Sequence, residues 1–543
     1  MTFLKLFFAD TYLRLWVGTL LTLFDIRVPQ YFTFLFIVFV ACFALSILEE
    51  FLEKRALIGQ TSLSERPNFI GTGIIFIYIS FYLVLLFSLV LCSYDPFLGF
   101  YDLTRALFMI EFFPWTGVIM RTNFHESIVG VYDLLVSCFS ATSCGLLLSI
   151  LTMFLYFLIL QYVPKNLIEQ KKFLFFSYLG LLCLLICFNT SSFFVFYMFF
   201  EFILIPFYFI VGLWGSRINR LSASLRLVFF TVIFSLPLGI FTFLNFVRGD
   251  FSFNFEMLNA TLSSLDPNFS TYLYIALFLA FAVKIPLFPA HVWLPEAHGE
   301  APTFGSVLLA GILLKLGGYG FIKIFYPLVY ELNFDYSVSL FPIIYAISII
   351  TILYSNITVF TQTDIKKTIA YYSIGHMGFV TLGLSTGTIE GYNGAMTIMI
   401  AHGLSAAGLF FMVGYLYEKS HTRALFAFRG LATTLPYFSV LFFIFVCANM
   451  GLPGTMNFAG EQLVIISLAN YSLYATILPF IGIFLNGLSS VLFMNRLLFG
   501  EANDIAVVSV KDLGTKESFT FSIIVLPLLL FGFFPQLFIS LLV

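Results

Sequence analysis

LAFAVKIPLFPAHVWLPEAHGEAPTFGSVLLAGILLKLGGYG, residues 279–320, holds two apolar runs, each carrying one lysine, with four prolines between them. The first run reaches Lys284 and is cut by Pro286, Pro289 and Pro295; the second carries Lys315 just before Gly317 and Gly318. Proline removes a backbone donor and stops a helix. In hydrocarbon the freed backbone groups find no water, so a break there must face protein or a hydrated path. A lysine at the bilayer centre costs about 2.5–3.5 kcal/mol on insertion scales unless it pairs or meets water. The stretch therefore reads as an interrupted membrane helix followed by a second helix, both built around buried ammonium groups.

The rest of the chain has the same character. Of 543 residues 60% are apolar and 10% charged, against about 25% charged in a soluble domain. At roughly 20 residues per span, the length supplies about fourteen helices and leaves nothing for a large soluble domain. The apolar runs place them at 31–50, 69–93, 135–163, 173–188, 192–214, 223–246, 271–286 with a continuation past Pro289, 304–326, 338–361, 368–386, 394–417, 431–452 with a continuation to 468, 474–499 and 519–543. Segment 11–24 is apolar but short, and loop 94–130 is long and aromatic. The fold class is all-α, a polytopic membrane protein. Its expected divisions are N-terminal helices and a long loop (1–130), a first half (131–334), a second half (335–500) and a final loop and helix (501–543).

Loop charge gives orientation. Alternate loops hold seventeen Lys and Arg on one side, among them Lys366, Lys367, Lys419, Arg423 and Arg496, and four on the other, Arg105, Arg121, Arg248 and Lys323. That asymmetry supports the even helix count and puts both termini opposite the basic loops. A second interruption, ANMGLPGTMNFAGEQL at 448–463, holds Gly451, Pro453 and Gly454. One broken helix in each half points to two inverted repeats, near 173–326 and 338–499, with an ion pathway between them.

Beyond charges near span ends, six ionisable groups are singled out inside the expected spans: Glu201, Lys284, Lys315, His376, His402 and Glu461. Burial and opposite charges push lysine and carboxylate in opposing directions, so making and breaking such pairs loads and releases protons. The seven cysteines, Cys42, Cys92, Cys138, Cys144, Cys183, Cys187 and Cys447, lack CxxC spacing, which argues against iron–sulfur or zinc sites. His291 and His298 flank Glu296 without an HExxH pattern, so metal binding is not expected. GGYG at 317–320 lacks a nucleotide-binding context and reads as close helix packing. No basic run points to nucleic acid, and no site for NADH, flavin or quinone stands out. The first residues, MTFLKLFFADTYLRLWVG, have neither transit-peptide nor signal-peptide character and read as mature sequence. The 74 phenylalanines match an AT-rich, organelle-encoded gene.

Residues 279–320, FFEFILIPFY around Glu201, QTDIKKTIAYYSIGHMGF around His376, YEKSHTR at 417–423 and GLPGTMNFAGE ending at Glu461 closely resemble the antiporter-like subunits of respiratory complex I. The resemblance runs from about residue 133 to the C-terminus. It implies two inverted five-helix repeats and proton translocation in the membrane arm, next to sister antiporter-like subunits. It also implies that NADH, FMN, iron–sulfur clusters and ubiquinone belong to other subunits, with no cofactor on this chain, and that the site is the mitochondrial inner membrane, or a bacterial plasma membrane as the less favoured choice. By this resemblance Glu201 matches the fifth-helix glutamate, Lys284 the broken-helix lysine, Lys315 the eighth-helix lysine, and His376 and His402 the polar central axis. Glu461 matches the exit-side residue of the second channel, which is glutamate in one member and lysine in its two sisters. Gly375 departs from the serine usual before His-Met, and the region through about residue 130 is unfamiliar. A subunit of a multi-subunit sodium/proton antiporter is the rival reading, and a structural subunit with a silent channel is a second.

Overall fold

The computed structural model describes residues 142–163, 169–247, 267–326, 334–501 and 511–542. The expected helices at 31–50 and 69–93, segment 11–24 and loop 94–130 lie outside them. Every regular element among the described residues is helical. In chain order these are α1 (Ser143–Tyr162), α2 (Gln170–Asn189), α3 (Phe193–Trp214), α4 (Arg220–Val247), α5 (Pro267–Lys284), α6 (Trp293–Glu300), α7 (Thr303–Phe325) and α8 (Phe334–Val359). There follow α9 (Ile365–Ser385), α10 (Ile389–Ser420), α11 (Pro436–Met450), α12 (Met456–Tyr471), α13 (Ile477–Leu498) and α14 (Thr515–Phe533). Nine helices among the described residues are long and apolar enough to cross a membrane, and the short apolar arms Leu273–Lys284 and Pro436–Met450 belong to the two interruptions.

Local chemistry sets the ends. Thr142, Asp364 and Thr388 cap α1, α9 and α10, each accepting a backbone N–H from the first turn, which satisfies donors a helix start leaves free. Gly451 ends α11 with φ +75°, a left-handed conformation that favours glycine.

Two helices form the centre. The apolar window of α10 is wholly buried and that of α7 nearly so, whereas α4, α13 and α14 face mostly outward. The outward faces are apolar: Phe229, Ile233, Leu236 and Ile240 on α4, and Phe480, Phe484, Leu488 and Val491 on α13. These stripes at three- and four-residue spacing are apolar outward faces, as helices of a membrane-spanning bundle present. Glycines let the central helices touch. A Cβ on Gly403 of α10 would lie 3.1 Å from the Gly311 carbonyl oxygen of α7, and one on Gly460 of α12 would lie 3.2 Å from the Gly394 carbonyl of α10. The GGYG segment packs as its composition predicts, with Gly317 against the backbone of Lys284 and Ile285, and Gly318 against Met399. One feature of α7 has no sequence signal: it contains two π-helical turns, Leu309–Leu313 and Phe321–Phe325.

Candidate functional site: a buried row of ionisable side chains

The glycine crossing sets Lys315 beside His402. Gly311 precedes Lys315 by one turn, and Gly403 follows His402. Both side chains are fully buried. Lys315 Nζ lies 2.8 Å from His402 Nδ1 and also donates to the Ala310 carbonyl in the π-helical turn. Such turns recur at functional sites because their wide ring displaces a carbonyl from the regular ladder. Two groups in one hydrogen bond share a single proton here: an ammonium donates to a neutral imidazole, or an imidazolium donates to a neutral amine. The geometry therefore permits direct proton transfer.

The row continues through α9 to α12. The rings of His402 and His376 are 5.4 Å apart, and His376 Nδ1 is 3.4 Å from Glu461 Oε1. All four side chains are at most 2% exposed, so Lys315, His402, His376 and Glu461 form one continuous buried line. Along it, His402 Nε2, both nitrogens of His376 and Glu461 Oε1 have no hydrogen-bond partner. Buried polar atoms left so are the positions where ordered water binds in proteins.

The second interruption makes room for the carboxylate. A Cβ on Gly451 would stand 2.7 Å from Glu461 Oε2. Asn457 Nδ2 donates to the Ala448 carbonyl at 2.7 Å, and Asn486 Nδ2 donates to the Asn449 carbonyl at 3.2 Å. Side chains thus satisfy carbonyls that the broken helix α11 frees, as a non-aqueous surrounding requires. The first interruption is treated likewise: the Trp293 indole donates to the Val283 carbonyl at 3.0 Å, and Phe288 N–H donates to Thr351 Oγ1 at 3.0 Å.

Glu201 and Lys284 come together less directly. Lys284 Nζ donates to the Phe200 carbonyl at 2.6 Å and sits 3.7 Å from the Phe200 ring centroid. Its partner is the residue before Glu201, and both Glu201 carboxylate oxygens are buried without a hydrogen bond. The end of α5 and the kink of α3 at Ile203 bring the two residues to one place without pairing their charges.

Two loop cations counted for orientation are in fact buried. Lys366 Nζ donates to the Ala301 carbonyl at 2.8 Å, and the Arg423 guanidinium donates to the Gly299 carbonyl and to Ser216 Oγ. Both meet the C-terminal end of α6, where unpaired carbonyls and the helix dipole favour cations. Beside them Arg217 pairs with Asp364 at 2.9 Å. Burial holds the Arg423 guanidinium below its ordinary range. His291 and His298 part company: His291 packs against Phe288 and Tyr354, and His298 stacks on Phe410. Among the described residues no cluster of three His, Cys, Asp or Glu is placed to hold a metal. Cys183 and Cys187 are buried.

Residues 190–488 match the model of a family described as NADH:quinone oxidoreductase/Mrp antiporter, transmembrane. That is more than half of the chain. The chain belongs to the NADH:quinone oxidoreductase/Mrp antiporter transmembrane family. Among relatives in this family, NADH-ubiquinone oxidoreductase chain 4 of Marchantia polymorpha is 38% identical over 347 residues, covering 64% of this chain and 68% of the relative. NADH-quinone oxidoreductase subunit M of Rickettsia bellii is 35% identical over 349 residues, covering 64% and 69%. A chain of respiratory complex I from Thermus thermophilus superposes with a TM-score of 0.66 at 29% identity, over 75% of this chain and 86% of that one. The antiporter-family resemblance read from the motifs therefore stands, and the interrupted helices and central lysines lie inside the matched region.

Proposed function

We propose that this chain is the antiporter-like membrane-arm subunit of NADH:ubiquinone oxidoreductase, the counterpart of chain 4 in mitochondria and of subunit M in bacteria. It carries protons across the membrane while other subunits oxidise NADH and reduce quinone. The observation that carries the reading is the continuous row Lys315, His402, His376 and Glu461, buried throughout and closed by a 2.8 Å contact at one end. Four ionisable groups in an apolar interior are a large unfavourable term, and their contiguity is what proton transfer between neighbours requires. A silent structural subunit has no use for it.

In this reading Lys284 and Glu201 are the switch of the first half. Lys284 leaves the Phe200 carbonyl for the Glu201 carboxylate one residue on, and the proton's destination changes with the partner. Lys315 receives the proton, the histidines carry it across the centre, and Glu461 releases it toward the side opposite the basic loops. The interruptions after Lys284 and beside Glu461 support two inverted five-helix repeats within about fourteen spans, in the halves 131–334 and 335–500. The cofactors NADH, FMN, iron–sulfur clusters and ubiquinone belong to partner subunits, the neighbours include sister antiporter-like subunits, and the membrane is the mitochondrial inner membrane. The name of the family also covers Mrp antiporters, and a subunit of a multi-subunit sodium/proton antiporter is the rival reading.

The test is proton translocation by the assembled complex in sealed vesicles. Lys315→Met, with assembly intact, is expected to abolish translocation together with coupled NADH oxidation, without sodium dependence in the parent. Normal translocation by Lys315→Met ends the proposal, and sodium-dependent proton movement without NADH transfers the chain to the antiporter branch.

A further inference from the structure

Away from the described row, a second set of polar groups crosses the interface of α9, α13 and α11. At the basic-loop side a cavity of about 10 Å³ is lined by Thr368, Ser489, Phe493 and Arg496, among others, space for about one water. Arg496 is in the last turn of α13 and exposed, so the cavity adjoins the surface there. Ser489 lies seven residues earlier on α13, about 10 Å inward. Next to it is the Tyr372 hydroxyl, on a side chain 2% exposed and packed edge-on against Phe493. Ser489 is the polar group beside that hydroxyl, and the two make no hydrogen bond of ordinary geometry. A buried phenol without a well-formed hydrogen bond is unfavourable in an apolar interior, so its position calls for an explanation.

The set continues inward. Ser489 and Ser490 both donate to the Asn486 carbonyl, at 3.0 and 2.8 Å. The Asn486 side chain, 4% exposed, donates to the Asn449 carbonyl and leaves its own Oδ1 without a partner. Asn449 stands two residues before Gly451, against which the Glu461 carboxylate is packed. On α9, Thr368, Tyr372 and His376 follow one another at four-residue spacing and so lie along one helix face. The cavity is therefore joined to the His376 and Glu461 end of the row by polar atoms, two of them buried and without a well-formed hydrogen bond.

We propose that this set is a proton inlet from the basic-loop side to Glu461, running from the cavity at Arg496 past Ser489 and the Tyr372 hydroxyl to Asn486 and Glu461. Water occupies the steps between the side chains, and the phenol passes a proton by accepting one on its oxygen while releasing its own. The second half then fills from the basic-loop side. This rests on the proposed proton-carrying function.

The test uses the assembled complex in sealed vesicles. Tyr372→Phe removes one hydroxyl and no packing volume; losing one hydrogen-bonding step of about 1.4 kcal/mol makes translocation about tenfold slower. Leu425→Cys, at the lining of the same cavity and outside the polar path, is expected to translocate normally until 2-(trimethylammonio)ethyl methanethiosulfonate, which does not cross the bilayer, is added on the basic-loop side, and then to fall by a similar factor. The reagent on the opposite side is expected to have no effect, nor to affect the parent with its native cysteines. Parental translocation by Tyr372→Phe, or a cysteine that reacts only from the opposite side or from neither, overturns the inlet. Glu461→Gln separates the two readings: if it blocks translocation while both inlet variants behave as the parent, the inlet alone is wrong. If Glu461→Gln translocates normally, the proton-carrying function fails with it.

Discussion

Replacing His402 separates holding a proton from passing it. His402→Gln keeps an acceptor, the amide oxygen, in reach of Lys315 Nζ where Nδ1 now stands at 2.8 Å, but an amide does not titrate and cannot relay. His402→Leu removes the acceptor as well, leaving a fully buried lysine with the Ala310 carbonyl alone. A hydrogen bond to a charged group is worth about 1.5–3 kcal/mol, so the leucine variant is expected to destabilise the subunit by about that much and to lower the yield of assembled complex. The glutamine variant is expected to assemble normally. Both lose the titrating group between Lys315 and His376, and removal of a positioned acid–base group slows its step by about 10²–10⁴. The assays are native-gel quantification of the complex and dye-monitored acidification of vesicles driven by NADH. Parental acidification with His402→Gln would refute the relay. Normal assembly with His402→Leu would refute the energetic argument for the Lys315 contact.

Three further outcomes follow from the same geometry. Glu461→Gln is expected to suppress pumping and coupled NADH oxidation in assembled complex, whereas Glu461→Lys, the sister subunits' residue, retains more activity; equal losses in vesicle assays would show that the carboxylate itself is required. Glu201→Gln and Lys284→Met are each expected to assemble and lose most translocation, with the double variant scarcely worse because groups acting as one unit are non-additive; losses that multiply independently in the same assay would dissolve the pair. Gly403→Val places a branched side chain where even a Cβ meets Leu151 at 2.8 Å and the Gly311 carbonyl at 3.1 Å. Overpacking of this kind costs about 1–3 kcal/mol, so reduced thermal stability of the purified complex and slowed pumping are expected, and unchanged values in both would mean that the crossing does not set the Lys315–His402 contact.

Much of this was legible in the residues. The described helices fall where unbroken apolar runs place them, and both interruptions fall at Pro286 and at Gly451–Pro453, because proline and left-handed glycine act locally. The cost of burying charge also singled out Lys315, His376, His402 and Glu461, which the structure brings into one line. What could not be read was order of contact. Nothing near Lys284 in sequence marks the Phe200 carbonyl as its acceptor, 84 residues away, and the π-helical turn before Lys315 has no compositional signal. Lys366 and Arg423 read as loop charges because their burial depends on the end of α6 lying against them. Gly375, where serine is usual, is explained only by α8: a Cβ there would meet Ser355 Oγ at 2.9 Å.

The 2.8 Å separation of Lys315 and His402 also limits occupancy. Two positive charges that close repel by about 6 kcal/mol even at an effective dielectric constant of about 20. In the proposed relay the pair thus tolerates one excess proton, and a newcomer waits until the occupant has moved on to His376. Traffic through the centre is consequently single file, a turnstile whose count is enforced by Coulomb repulsion and needs no moving gate.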